Sequence, residues 1–174
     1  WLSLPLLCAT VWAQAPVQEP DAAAKSAAVR AALLYKIASY LEVEKPKSGV
    51  PPAPAKQYRI GVLGDDATIA TARKILPGKS IGDAKVEVVT VTVEDAAEGR
   101  ATAKCDLLYI ALPIDGETLG RIVTGQGKQP VPLVCAQPGF VVAGGTVQLF
   151  VKDGGTRFEM NAEALKRQGL RASA

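Results

Sequence analysis

Between Tyr58 and Cys135 the chain alternates short apolar or β-branched runs with helical stretches, and this alternation is the strongest constraint on its fold. Tyr58 to Leu63 reads as a buried strand, and Ala67 to Leu76 as a helix stopped by Pro77-Gly78. Val86 to Val93 is β-branched and strand-like, and residues 94–103 suit a short helix. Cys105 to Leu112 (strand), Ile114 to Val123 (helix) and Val131 to Cys135 (strand) repeat the pattern. Such an order folds into a mostly parallel sheet with right-handed crossovers and helices on both faces. The ending differs. Thr146 to Val151 and Thr156 to Met160 flank Lys152-Asp153-Gly154-Gly155, a strong hairpin signal, before a last helix from about Ala162 to Gln168 capped by Asn161 and stopped by Gly169.

Ahead of this unit, Asp21 is a good N-cap. Val29, Leu33, Ile37, Tyr40 and Leu41 recur at helical spacing, predicting a long first helix from about Ala22 to Val43. Pro46, Pro51, Pro52 and Pro54 make residues 45–56 an extended linker. The expected architecture is therefore α/β: a three-layer, mostly parallel sheet with a C-terminal antiparallel hairpin, preceded by a long N-terminal helix.

Residues 1–15 carry no charge, hold a compact apolar run and close on Ala13-Gln14-Ala15. That small-x-small ending reads as a cleavable signal peptide, and the run is shorter than the roughly 20 residues a membrane span needs. Residues 16–174 are then one exported domain of a size that suits a single core. The expected location is the periplasm, with the mature chain not itself membrane-spanning. The net charge of +3 is diffuse, without a basic run, which argues against nucleic acid as a partner.

The chain has no histidine. That removes His-based triads, His-ligated metals and the commonest general base, so neither an enzyme nor a cofactor is expected. Gly78-Lys79-Ser80 imitates the end of a phosphate-binding loop, but Arg73 stands where the motif needs its first glycine and a strand follows rather than a helix. Gly61-Val62-Leu63-Gly64 does not extend to a dinucleotide fingerprint.

Asp65 and Asp66 follow the C-terminal end of the first long strand, where open α/β sheets bind ligands; one of them is also placed to cap the next helix. Arg157 and Glu159 alternate with Phe158 and Met160, so the charged pair faces away from the core. It is either a solvated face with a cross-strand charge pair or an anchor for a ligand or partner. Cys105 starts one strand and Cys135 ends the next, which puts the sulfurs at opposite ends of parallel neighbours. Two buried free thiols are expected, with no disulfide.

Several segments together resemble the periplasmic YfiR-like proteins. They are Ala31-Ala32-Leu33-Leu34-Tyr35-Lys36-Ile37-Ala38, Ile60-Gly61-Val62-Leu63-Gly64-Asp65-Asp66, Cys105-Asp106-Leu107-Leu108-Tyr109-Ile110, Pro138-Gly139-Phe140, Gly144-Gly145, and Arg157-Phe158-Glu159-Met160-Asn161 running to Gly169-Leu170. The resemblance implies a repressor that binds the periplasmic sensor domain of an inner-membrane diguanylate cyclase and limits cyclic di-GMP and biofilm formation. It also implies small-molecule or redox effectors and a homodimer. The cysteines that better-known members carry beside Gly-Gly are absent, and Leu41-Glu42-Val43-Glu44 stands where an aromatic-Pro pair is usual. The alternative is a single-lobe periplasmic small-molecule binding protein.

Overall fold

The computed structural model describes residues 20–43, 57–126 and 129–173. The expected signal peptide and the whole proline-rich linker, residues 45–56, lie outside them. The order of elements is α1 (Pro20–Tyr40), β1 (Leu41–Val43), β2 (Gln57–Leu63), α2 (Asp66–Ile75), β3 (Ser80–Ile81), β4 (Ala84–Thr90) and α3 (Val93–Ala97). A 3₁₀ turn (Arg100–Ala103), β5 (Leu107–Ile110), α4 (Gly116–Gln126) and β6 (Leu133–Cys135) follow. The chain continues with β7 (Val147–Lys152), β8 (Gly155–Met160), α5 (Ala162–Arg167) and β9 (Leu170–Ala172).

Seven strands form one sheet in the order β3-β4-β2-β5-β6-β7-β8. β4, β2, β5, β6 and β7 run parallel, while β3 and β8 are antiparallel strands on the two edges. The parallel core follows the doubly wound order in which the second strand lies outside the first and the third inside it. Its central strands are apolar without alternation because both faces are covered: all of Leu107–Ile110 and Leu133–Cys135 is buried. On one face α1 and α2 pack Leu34, Ile37, Ile69, Ala72 and Leu76 against Ile60, Val62, Tyr109 and Leu149. On the other, α3 and α4 pack Ala96, Leu119 and Ile122 against Leu63, Leu108, Ile110 and Leu133. Each fully buried Leu or Ile contributes on the order of 1.5–3 kcal/mol relative to exposure.

The first helix ends three residues earlier than its periodicity predicts. Leu41–Val43 is a strand, pairing antiparallel with Leu170–Ala172 in a separate two-stranded sheet. Leu41 continues the apolar spacing of α1, but it packs from the strand rather than from a further helical turn. The Tyr40 carbonyl accepts the Ser173 N–H at 2.7 Å, which closes this sheet onto the end of α1.

Candidate functional site

The segments that carry the family likeness sort into those with packing or bonding partners and those without. Gly61 lies on β2 directly against Cys105: a Cβ there would sit 2.7 Å from the thiol sulfur and 2.9 Å from the Cys105 Cβ. Asp106 ties β2 to the start of β5. Its Oδ2 accepts the Arg59 N–H at 2.7 Å, and its own N–H donates to the Arg59 carbonyl at 2.8 Å. Cys105 is fully buried, and its thiol donates to the Ala101 carbonyl at 3.2 Å. Burial, and then the neighbouring Asp106 charge, push this thiol up to about 12.

Pro138-Gly139-Phe140 and Gly144-Gly145 form one unit. The Phe140 ring is fully buried over Gly145, where a Cβ would come within 2.3 Å of it, and Gly144 takes a positive φ of 97° that a side chain would strain. Asn161 closes the same unit. Its Nδ2 donates to the Val141 carbonyl at 2.8 Å, while its Oδ1 accepts the Ala164 N–H and caps α5. Beneath it runs a buried polar relay. Thr146 Oγ1 accepts the Leu133 N–H, then donates to Gln168 Oε1 at 2.9 Å, and Gln168 Nε2 donates to the Val131 carbonyl.

Of the four candidate site residues, Asp65 has a local partner. Its Oδ1 accepts the Thr68 N–H at 2.7 Å as the N-cap of α2, and this bond lowers its carboxyl below the usual range. Asp66 is exposed on the first turn of that helix. Arg157 and Glu159 are exposed on β8, and no ion pair among the described residues engages either. The register places Phe150 opposite Arg157 and Gln148 opposite Glu159, so the pair faces no opposite charge across the hairpin.

All four lie at the C-terminal edge of the parallel sheet. Leu63, Ile110, Cys135, Gln148 and Glu159 form one row across it. The two pairs nevertheless sit at opposite ends of that row. Four strand spacings, on the order of 19 Å, separate β2 from β8, so they do not form one pocket. Between them is an apolar hollow at the ends of β5 and β6, lined by Ala111, Leu112, Pro113, Ala136, Gln137 and Pro138 among others.

Cys105 and Cys135 are both buried and free. Ile110 stands opposite Cys135, which leaves Cys105 five positions, about 16 Å, back along the strand. At the opposite end of the sheet a second groove of ≈ 350 Å³ is lined by Leu41, Val43, Tyr58, Asp106, Pro130 and Leu170 among others. Sequence reasoning missed it, because one wall exists only once β1 has paired with β9.

The class defined by this geometry is an open α/β sheet, flanked on both faces, with the exposed Arg157 and Glu159 on an edge hairpin. Residues 27–174 match the family described as YfiR/HmsC-like (DUF4154), and the chain belongs to that family. The family is one of periplasmic regulatory proteins rather than enzymes. No curated protein sequence matches the chain. Among solved structures, the chain is similar to the ABC domain in complex with L-Trp from Streptococcus pneumonia, at 15% identity and a TM-score of 0.44 over 66% of this chain and 50% of that one. It is also similar to a conserved domain protein from Vibrio cholerae, at 14% identity and a TM-score of 0.49 over 82% of this chain and 55% of that one. The chain thus spans about half the length of each. Among the described residues no helix is long and apolar enough to cross a membrane, and no cluster of His, Cys, Asp or Glu could hold a metal ion.

Proposed function

We propose that the protein is a periplasmic repressor that binds the periplasmic sensor domain of an inner-membrane diguanylate cyclase and holds the cytoplasmic cyclase off. The observation that carries this reading is the family match over residues 27–174. The lack of histidine adds to it, since the chain lacks the commonest general base. Repression is then a linked equilibrium: an effector that prefers the free repressor releases the cyclase and raises cyclic di-GMP. Residues 1–15 serve as the export signal in this reading, and residues 16–174 act as one regulatory domain.

Arg157 and Glu159 are proposed as the protein-contact residues. They are charged and exposed, without an ion pair among the described residues, on an edge strand of the sheet. Asp66, with Asp65 behind it as the helix cap, would make a separate contact at the far end of the row. The groove bounded by β1 and β9 has the size for a small effector.

The test is affinity capture of the tagged chain from detergent-solubilised envelopes. Recovery of a transmembrane protein with a cytoplasmic cyclase domain is expected, and Arg157→Ala should reduce that recovery while folding normally. Capture without any such cyclase would overturn the repressor reading and favour a single-lobe small-molecule binding protein.

A further inference from the structure

The groove at the N-terminal ends of the parallel strands draws its lining from separate parts of the chain. β1 gives Leu41 and Val43, β9 gives Leu170, the segment ahead of β6 gives Pro130 and Val131, and the start of β2 gives Tyr58. It is mostly apolar and, at ≈ 350 Å³, has the size of sites that hold small organic molecules. Side chains alternate along β1 and β9, which leaves the ion-paired Glu42 and Arg171 outside this lining.

Asp106 is the single charged side chain among the described lining residues. Its charge is only partly engaged. Oδ2 accepts the Arg59 N–H at 2.7 Å, while no hydrogen bond among the described residues engages Oδ1. The Arg59 guanidinium approaches Oδ2 only through Nε, at 3.5 Å, and turns Nη1 to the Ala103 carbonyl at 3.0 Å. Arg59 is itself outside the lining. The titratable neighbours of Asp106 in the groove stay neutral. Burial, and then the Asp106 charge, raise the Cys105 thiol to about 12 and raise the Tyr58 phenol as well.

We infer that this groove is a binding site for a small organic cation, an ammonium group carried on an apolar body. The ammonium meets the Asp106 carboxylate, and the body lies along Leu41, Val43, Val131 and Leu170. Tyr58 adds an aromatic ring to the same lining, a second group that attracts a cation. An anion finds no basic side chain among the described lining residues and meets Asp106 instead, so carboxylates, phosphates and nucleotides do not fit. A neutral apolar molecule fits poorly for another reason. Covering Asp106 strips water from a carboxylate and supplies no donor in return.

Occupancy also bears on the small sheet. Leu41, Val43 and Leu170 belong to the pairing of β1 with β9, so a ligand that needs this wall stabilises that pairing by mass action. The inference deepens the reading of this groove as effector-sized, and it stands on the lining rather than on any membrane partner.

The test is an amide NMR titration of the purified protein with phenylbutylamine, set against phenylbutyrate and phenylbutanol, which keep the apolar body and change the charge. The amine is expected to give saturable shifts centred on the Asp106, Val131 and Leu170 amides. Phenylbutyrate should bind at least about tenfold more weakly, as should the amine to Asp106→Asn, a variant that keeps an acceptor for the Arg59 N–H. Phenylbutanol should bind wild type and variant alike. An amine that gives no saturable shifts at these amides overturns the inference. So does an alcohol that binds as tightly as the amine, or a folded Asp106→Asn with unchanged amine affinity. Should Asp106→Asn fail to fold, Val43→Lys decides, since Val43 is 56% exposed and tolerates a polar side chain. A second ammonium in the lining should weaken the amine and spare the alcohol, and an unchanged amine affinity refutes charge recognition. No cyclase is present in this experiment, so failure of cyclase capture leaves its result standing and the two readings fall separately.

Discussion

At the scale of single residues, Cys105 and Cys135 are held in different ways but share one property. Cys105 packs against the bare Cα of Gly61 and donates to the Ala101 carbonyl, and Cys135 accepts the Gln137 N–H at 3.3 Å. Burial raises both thiols, Cys105 to about 12. A thiol reagent at pH 8 should therefore leave Cys105 and Cys135 unlabelled in the native protein and modify both on unfolding, which peptide mass spectrometry reads directly. Fast labelling of either in the native state would contradict this burial. The sign of the linkage is fixed by the raised value. The folded chain keeps the Cys105 proton after the unfolded chain has lost it, so stability present below about pH 8.5 declines as pH rises towards the folded value. The separation of the two sulfurs along the sheet was readable in the sequence from strand ends alone. The reason for Cys105, a partner glycine on the adjacent strand, was not, because it depends on the register of β2 against β5.

Single elements show which sequence signals survive tertiary packing. α2 begins where its cap says it should. Asp65→Ala should cost about 1 kcal/mol in a urea titration, whereas Asp66→Ala, one residue on and without a side-chain hydrogen bond among the described residues, should change stability little. Equal losses would mean that Asp65 is not the cap. Because the Asp65 carboxyl is lowered in the folded state, its contribution is present above the unfolded value near pH 4. It is lost as pH falls through the folded value. The hairpin β7–β8 was legible because Asp-Gly supplies the two positive φ angles that its turn demands. The end of α1 was not. Leu41 fits the helical stripe and the strand equally well, and only Leu170–Ala172, far along the chain, decides between them. Likewise Arg157 and Glu159 could be placed outward by alternation. That they face no opposite charge across the hairpin needed the register with Phe150 and Gln148.

For the whole molecule, the C-terminal segment has a role that its three strand residues understate. β9 pairs with β1, Arg171 bonds Glu42 at 2.6 Å, and the Gln168 relay holds the end of α5 to β6. Truncation after Gly169 removes the first two of these and uncovers Leu41, one wall of the effector-sized groove. A fall in melting temperature of several degrees is expected, on the order of 1–2 kcal/mol for a chain of this size. An unchanged melting curve would show that the small sheet is peripheral. The parallel sheet, by contrast, was legible in the sequence, since continuous apolar strands separated by helices have few other ways to bury both faces.

The β1–β9 pairing also has a temporal meaning. Glu42 and Arg171 are 129 residues apart in sequence, so the contact between them closes a long loop and forms late relative to the local contacts inside it. Until residues 170–173 are in place β1 has no strand to pair with, so the end of α1 stays untethered and this lock closes after the strands that lie between them in sequence.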